Sequence, residues 1–366
     1  METSGQVDAS KASRRMMNLM KMNSLIQLPV PAILCLLMTV STAQSAADVN
    51  EYLSMCDASA AFAFDEQHFI VANDEDNTLR IFRVDRREPV QSFDLSGFLG
   101  IRHDGKSPEA DLEGAAKLGD YYFFISSHGR DAKGRLRENR HCFFAVQVDK
   151  RENDFVIRPV GRVYKHLLDD LIMVEELKKV GLPDFYQPHV PKHEQLEPKH
   201  LGVNIEGLSA SADGKSLLIG FRNPIPQGKA ILIALNNPMS VVLEGLAPSF
   251  SSPLFLDLNG LGIRSIDYLS WLDRYLIIAG ARDGSEKSRL FYWSGVAEGV
   301  QELGHQVLLK SWNPETFSAF PERSRIQLYS DDGTRLLENA AGEKCECKKL
   351  PEPERKRFRG LWFSLE

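Results

Sequence analysis

"VNIEGLSASADGKSLLIGFRN", residues 203–223, sets out a carboxylate and a glycine, a polar turn, an apolar strand and an arginine, in that order. Residues 110–130, "ADLEGAAKLGDYYFFISSHGR", repeat the order. Both stretches read (Asp or Asn)-(Leu or Ile)-Glu-Gly-(Ala or Leu)-(Ala or Ser), then a turn and a strand. Looser copies begin at Cys56 ("CDASAAFAFDEQHFIVANDEDNTLRIFRV"), Leu261 ("LGIRSIDYLSWLDRYLIIAGARDG") and Pro314 ("PETFSAFPERSRIQLYSDDGTRL"). The aligned positions Ser59, Glu113, Glu206, Arg264 and Glu315 are separated by 54, 93, 58 and 51 residues.

A unit of about fifty residues holding three or four short strands cannot bury its apolar face alone, so it must stack on copies of itself. Stacked radially, such units make a β-propeller. The alternative, a large sandwich or barrel, needs no turn motif repeated at this spacing. The fold expected is therefore all-β, a propeller of five or six blades. The apolar runs "HFIVAN", "YYFFIS", "SLLIGF", "RYLIIAG" and "RIQLYS", bounded by Gly, Asp, Asn and Pro, supply its strands. Helical spacing is clear only in "HLLDDLIMVEELKKVG", residues 166–181. That helical insertion and the loop "LPDFYQPHVPKHEQLEPKH" after it account for the one long gap, and a sixth blade would have to hide within residues 140–200.

The first 46 residues differ from the rest. Lys11, Arg14, Arg15 and Lys21 precede the apolar "LIQLPVPAILCLLMTV" and the small-residue "STAQSAA". This order predicts a secretory signal peptide over 1–46, whose apolar core is short and proline-broken for a membrane span. An uncleaved N-terminal anchor is the alternative. Leu34 stands before Cys35 where lipoprotein processing needs a small residue, which argues against lipidation. Residues 47–366 then form a single propeller domain, exported to the periplasm or secreted.

Of the 366 residues, 43% are hydrophobic and 26% charged, enough for a large core. Removing a leader with four basic and two acidic residues takes the formal net charge from −6 to −8. So acidic a chain lacks the footprint for nucleic acid or an anionic membrane. Four cysteines remain, and an oxidising compartment permits three pairings among them. Closing a propeller brings the first and last strands into one blade. That favours a disulfide from Cys56 to Cys345 or Cys347, with a free or differently paired set as the alternative. "CEC" by itself is no zinc signature.

The repeat also points to a site. If Glu-Gly marks the turn into each inner strand, Ser59, Glu113, Glu206, Arg264 and Glu315 ring one channel mouth, and glycine permits a tight turn there. The following strand ends add Asn73, Asp74, Ser127, His128, Arg130, Arg222, Asn223, Arg282, Asp283, Asp331 and Asp332. Glu113, Glu206, Asp331 and Asp332 are candidate ligands for a hard cation such as calcium. Arg130, Arg222, Arg264 and Arg282 are candidates for holding a small anion. His128, Glu113 and Glu206 are candidates for moving protons in a metal-assisted phosphoester or ester hydrolysis. The structural alternative is that these carboxylates and arginines merely pair with one another. The functional alternative is a non-enzymatic binding or scaffolding propeller for a protein partner. Neither Gly-x-Ser-x-Gly nor His-Glu-x-x-His occurs. His189, His193 and His200 have no metal-site spacing, and "SDDGT" and "NDEDN" are only halves of calcium loops.

The stretches "DLEGAA…FFISSHGR…GRLRENRHCFFAV", "NIEGLSASADGKSLLIGFRNP…GKAILIAL" and "GIRSIDY" resemble a bacterial family of exported proteins classed as a domain of unknown function. The similarity spans nearly all of residues 50–366. Through the Glu-Gly turns and the closing "RIQLYSDDG", the chain is more distantly similar to phytase-like and esterase-like propellers. That resemblance implies a propeller and raises the expectation of a calcium-assisted hydrolase. Only the blade turns match residue by residue, so no catalytic mechanism transfers. Thr316 in place of glycine, and Arg264 in place of a carboxylate, argue against a complete ring of metal ligands.

Overall fold

A computed structural model describes residues 49–102, 108–151, 154–187, 202–284, 288–304 and 312–365. The expected leader and His189, His193 and His200 lie outside the described residues.

The short apolar runs form strands, and twenty of these strands make five four-stranded antiparallel sheets. The first strand, β1 (Val49–Leu53), pairs with the last and is separated from it by almost the whole chain. Blade 1 holds β2 (Ala60–Ala63), β3 (His68–Ala72), β4 (Thr78–Arg83) and β5 (Gln91–Asp94). Blade 2 holds β6 (Leu112–Leu118), β7 (Tyr121–Ser126), β8 (Phe143–Lys150) and β9 (Phe155–Tyr164). Blade 3 holds β10 (Asn204–Ala210), β11 (Leu217–Asn223), β12 (Ala230–Leu235) and β13 (Leu254–Leu256). Blade 4 holds β14 (Gly262–Leu269), β15 (Arg274–Gly280), β16 (Arg289–Trp293) and β17 (Val300–Glu302). Blade 5 begins with β18 (Pro314–Phe320) and β19 (Arg325–Ser330). After a hairpin of β20 (Leu336–Glu338) and β21 (Lys344–Glu346), it ends with β22 (Arg357–Ser364) and β1.

The first strands of successive blades touch in a closed ring, β2 to β6 to β10 to β14 to β18 and back to β2. That ring defines the channel axis. It counts five blades, because residues 143–164 complete blade 2 and leave no sixth among the described residues. The insertion is helical but broken, into Leu167–Leu171, Glu175–Lys179 and Leu182–Tyr186. Gly181, at φ 81°, separates the last two pieces, and Pro183 sits in the first turn of the final one. Leu167, Leu168, Leu171, Leu177 and Leu182 are buried against blades 2 and 3. Burial of these leucines keeps the insertion docked.

Among the described residues, five apolar clusters fill the spaces between neighbouring blades, and a small sixth surrounds Cys56 and Cys347. Between blades 5 and 1, for example, Tyr52, Phe69, Phe82, Tyr329 and Phe358 pack ring against ring. Each such side chain contributes about 1.5–3 kcal/mol through burial. Closure is covalent as well, since Cys56 is bonded to Cys347 across 291 residues, leaving Cys142 and Cys345 free. Among the described residues no helix is long and apolar enough to cross a membrane.

Candidate functional site at the channel mouth

The Glu-Gly pairs do not form turns. They lie inside β6 and β10, where the pairing steps from Leu112↔Ser126 to Gly114↔Ile125 and from Ile205↔Phe221 to Gly207↔Gly220. Glu113 and Glu206 are therefore the unpaired residues of β-bulges. Arg264 and Glu315 are skipped in the same way in β14 and β18. A bulge breaks the in–out alternation of a strand and re-aims one side chain. Four blades use it to send a charged side chain into the channel, whereas Ser59 of blade 1 precedes its strand.

The glycines serve blade packing. A Cβ on Gly114 would lie 2.9 Å from Leu208 Cβ of the next blade, and one on Gly207 would lie 2.7 Å from Ile263 Cγ2. Blades 4 and 5 have Ser265 and Thr316 there, and their hydroxyls lie 3.3 Å apart.

The mouth is a cavity of ≈ 750 Å³. On its blade 3–5 side the charges are matched. Arg222 Nη1 donates to Glu206 Oε1 at 2.6 Å and Asn204 Nδ2 to the same oxygen at 2.8 Å. Arg264 Nε faces Glu206 Oε2 at 3.4 Å, while its Nη2 donates to Glu315 and its Nη1 to Asn313 Oδ1 at 3.2 Å. Gly280 makes room for this guanidinium arm, since a Cβ there would lie 2.7 Å from Arg264 Cδ. Burial raises the Glu315 carboxyl to about 7, with Arg264 acting to lower it.

The blade 1–2 side lacks such partners. Glu113, only 8% exposed, lines the cavity, and its Oε2 has no hydrogen-bond partner among the described residues. Asp74 Oδ1 and Asp57 Oδ1 are also buried without a partner among the described residues. Burial first, then neighbouring carboxylates such as Glu206 and Glu315, push Glu113 and Asp74 well above the usual carboxylate range. The register shows what blade 2 lacks. Ser127 occupies the place that Arg222 holds in blade 3, and its hydroxyl donates to Asp111, whose carboxylate also faces Arg140 Nη1 at 3.1 Å.

The remaining candidates lie apart from this pattern. His128 does not line the cavity; it sits at φ 54° with Nδ1 2.8 Å from the Ser126 carbonyl and its ring 5.3 Å from that of His141. Burial, then His141, lowers it to about 3, so the imidazole is neutral near neutral pH. Arg130 borders the cavity, but its guanidinium donates to the carbonyls of Gly134, Tyr186 and Gln187, clamping the end of the insertion. Arg282 is exposed and does not line the cavity. Asp331 lines it, with Oδ2 accepting from Asn313 Nδ2 at 2.9 Å and Oδ1 from Gly333 N at 3.0 Å. Asp332 is turned away and is held by Arg359 through both oxygens, at 2.8 and 2.6 Å. Among the described residues, no three His, Cys, Asp or Glu side chains are grouped to hold a metal ion.

Asp57, Asp111, Asn204 and Asn313 also line the mouth, and none was singled out as a candidate from the sequence. Each stands two positions before a ring residue, Ser59, Glu113, Glu206 or Glu315. That second column of the repeat was the signal that would have found them.

A five-bladed propeller with an acidic, half-paired mouth is thus the class this chain defines. It belongs to the family described as "Protein of unknown function (DUF3616)", whose model matches residues 57–158 and 173–312. No curated protein matches it. Similar solved structures include Myxococcus xanthus glutaminyl cyclase, at 11% identity and a TM-score of 0.42, covering 87% of this chain and 96% of that one. Another is the Cps50 (Swd1) β-propeller domain of Myceliophteria thermophila, at 12% identity and a TM-score of 0.33, covering 87% and 98%.

Proposed function

We propose that the channel mouth binds a small ligand through a cationic group, received by Glu113 and Asp74. The observation that carries this reading is the buried, unpartnered Oε2 of Glu113 in a cavity whose arginines are already engaged. A buried carboxyl without a partner is costly, and taking up a proton removes its charge but not its need for a donor. An ammonium or guanidinium group supplies both the donors and the charge. An anion would meet mainly carboxylates here: Arg130, Arg140, Arg222 and Arg264 all point at oxygens of the protein itself, and Lys348 is the one further cation among the described lining residues. Calcium would need six to eight oxygens gathered around it, and an organic cation asks for fewer. The Cys56–Cys347 disulfide supports placing the protein in an oxidising compartment, periplasmic or extracellular.

Thermal melting with spermidine, calcium or inorganic phosphate tests the reading. Spermidine should raise the melting temperature, by more at a pH of about 8 than about 6, because bound cations displace protons from these carboxyls. Glu113→Gln should remove most of the shift. Stabilisation by phosphate with none by spermidine would reverse the assignment, and a shift with calcium alone would turn it toward a metal site.

A further inference from the structure

We propose that Asp57 and Asp331 form a proton-sharing acid–base pair that hydrolyses an acyl bond, an ester or amide, in the ligand held at the mouth. The inference rests on the mouth being a ligand cavity, and it assigns that cavity a reaction.

The two carboxyls come from opposite ends of the chain and are held together by several links. Asp57 follows Cys56, which is bonded to Cys347, and Asp331 directly follows β19. The Asp332 N–H donates to the Cys56 carbonyl at 3.1 Å, and the Lys348 N–H to the Gly333 carbonyl at 3.0 Å. Gly333 leaves the space that the Asp57 carboxyl occupies, since a Cβ there would lie 2.6 and 2.7 Å from its two oxygens. A larger residue there would displace the Asp57 carboxyl.

Their environments separate their roles. Asp331 receives a donor on each oxygen, from the Asn313 amide and the Gly333 N–H, and so is built to be ionised. Asp57 is 6% exposed, and among the described residues no N–H or O–H reaches its Oδ1. Both carboxyls lie against Gly333, whose N–H donates to Asp331 Oδ1 at 3.0 Å and whose Cβ position lies 2.6 and 2.7 Å from the Asp57 oxygens, so a proton carried by Asp57 and donated to Asp331 satisfies both groups. Burial, then Asp331, pushes Asp57 up to about 11. Burial works against ionisation of Asp331, yet the bond from Asp57 and the Gly333 N–H hold it below its ordinary value. Asp74 and Glu315 face the pair as further carboxyls, with Arg264 and Lys348 as the nearby cations. Two adjacent carboxyls with opposed protonation make a general acid and a general base.

The chemistry balances without a cofactor. Asp331 takes a proton from water as the water oxygen adds to the acyl carbon, and Asp57 gives its proton to the carbonyl oxygen. When the tetrahedral intermediate collapses, Asp331 returns a proton to the leaving oxygen or nitrogen. Asp57 recovers one from the hydroxyl as the C=O bond re-forms. The products are a carboxylic acid and an alcohol or amine. A phosphoester would meet Asp57, Asp74, Asp111 and Glu113, with the lining arginines engaged and Lys348 alone to offset them, so the surroundings favour a neutral or cationic acyl substrate.

A nitrophenyl glycidyl ether tests the pair, because its epoxide needs one ionised and one protonated carboxyl together. Asp331 opens the ring to form an ester, and Asp57 protonates the released oxygen. Peptide mapping should place one adduct on Asp331. The near-isosteric Asp57→Asn should slow its formation at least about tenfold while the variant still melts cooperatively. Hydrolysis of nitrophenyl acetate should fall by a similar factor in Asp57→Asn and Asp331→Asn. No adduct on Asp331 in folded wild-type protein, or equal hydrolysis by wild type and both variants, overturns the proposal. An adduct formed by protein that spermidine does not stabilise would keep the pair and remove the cationic reading of the mouth.

Discussion

Glu206 and Glu113 occupy the same bulge in neighbouring blades, yet one is fully paired and the other is not. Glu206 accepts from Arg222 and Asn204 and faces Arg264, so its charge is compensated on every side. Glu113 has Ser127 where Arg222 would be, and Ser127 is itself turned to Asp111. A single repeat motif thus yields a structural ion-pair chain on one side of the channel and an unsatisfied carboxyl on the other. The scaffold fixes where the side chain points, and the residue at the end of the next strand decides whether it is architecture or a place for a ligand.

Substitutions can break this contrast. Arg264→Met should cost the most, about 3–5 kcal/mol in chemical denaturation, because it removes the buried guanidinium that links Glu206 and Glu315. Glu206→Gln should cost about 2–3 kcal/mol, since it leaves Arg222 and Arg264 short of an anion. Glu113→Gln mimics the protonated acid and should change stability by less than about 1 kcal/mol at neutral pH, or raise it. Equal losses in Glu206→Gln and Glu113→Gln would erase the distinction between the two sides.

The smallest effect is the dependence on pH. Glu315, raised to about 7, and Asp57, raised to about 11, keep protons that the unfolded chain releases near pH 4. Their contribution is complete below about pH 4 and declines as pH rises, for Glu315 mainly between about pH 4 and about pH 7. The melting temperature of the ligand-free protein should therefore drift downward across that interval as these groups act. The drift should be shallower in Glu315→Gln.

Much of this was legible in the sequence. The five repeat positions are the five blade starts, because every blade must place a comparable residue at the axis. The burial period of the strands is also local information. The bulge was not legible. Glu-Gly is as good a turn as a bulge until the partner strand's register is known, and that register is set by residues such as Ile125 and Gly220. Nor could the sequence separate Glu113 from Glu206, since their difference lies in Ser127 against Arg222, which become comparable only once the strands are paired. His128 lay beside the right segment, but its backbone at φ 54° and the bond from Nδ1 to the Ser126 carbonyl turn it behind the rim.

Proton release on ligand binding tests the central claim most directly. Titrating spermidine calorimetrically at a pH of about 7, in buffers of different ionisation enthalpy, reports the protons displaced. An unpartnered Glu113 held well above the usual carboxylate range predicts binding with net release of protons from the wild type and a clearly smaller release, at weaker affinity, from Glu113→Gln. Binding with no proton release, or with the same release from both proteins, would contradict it.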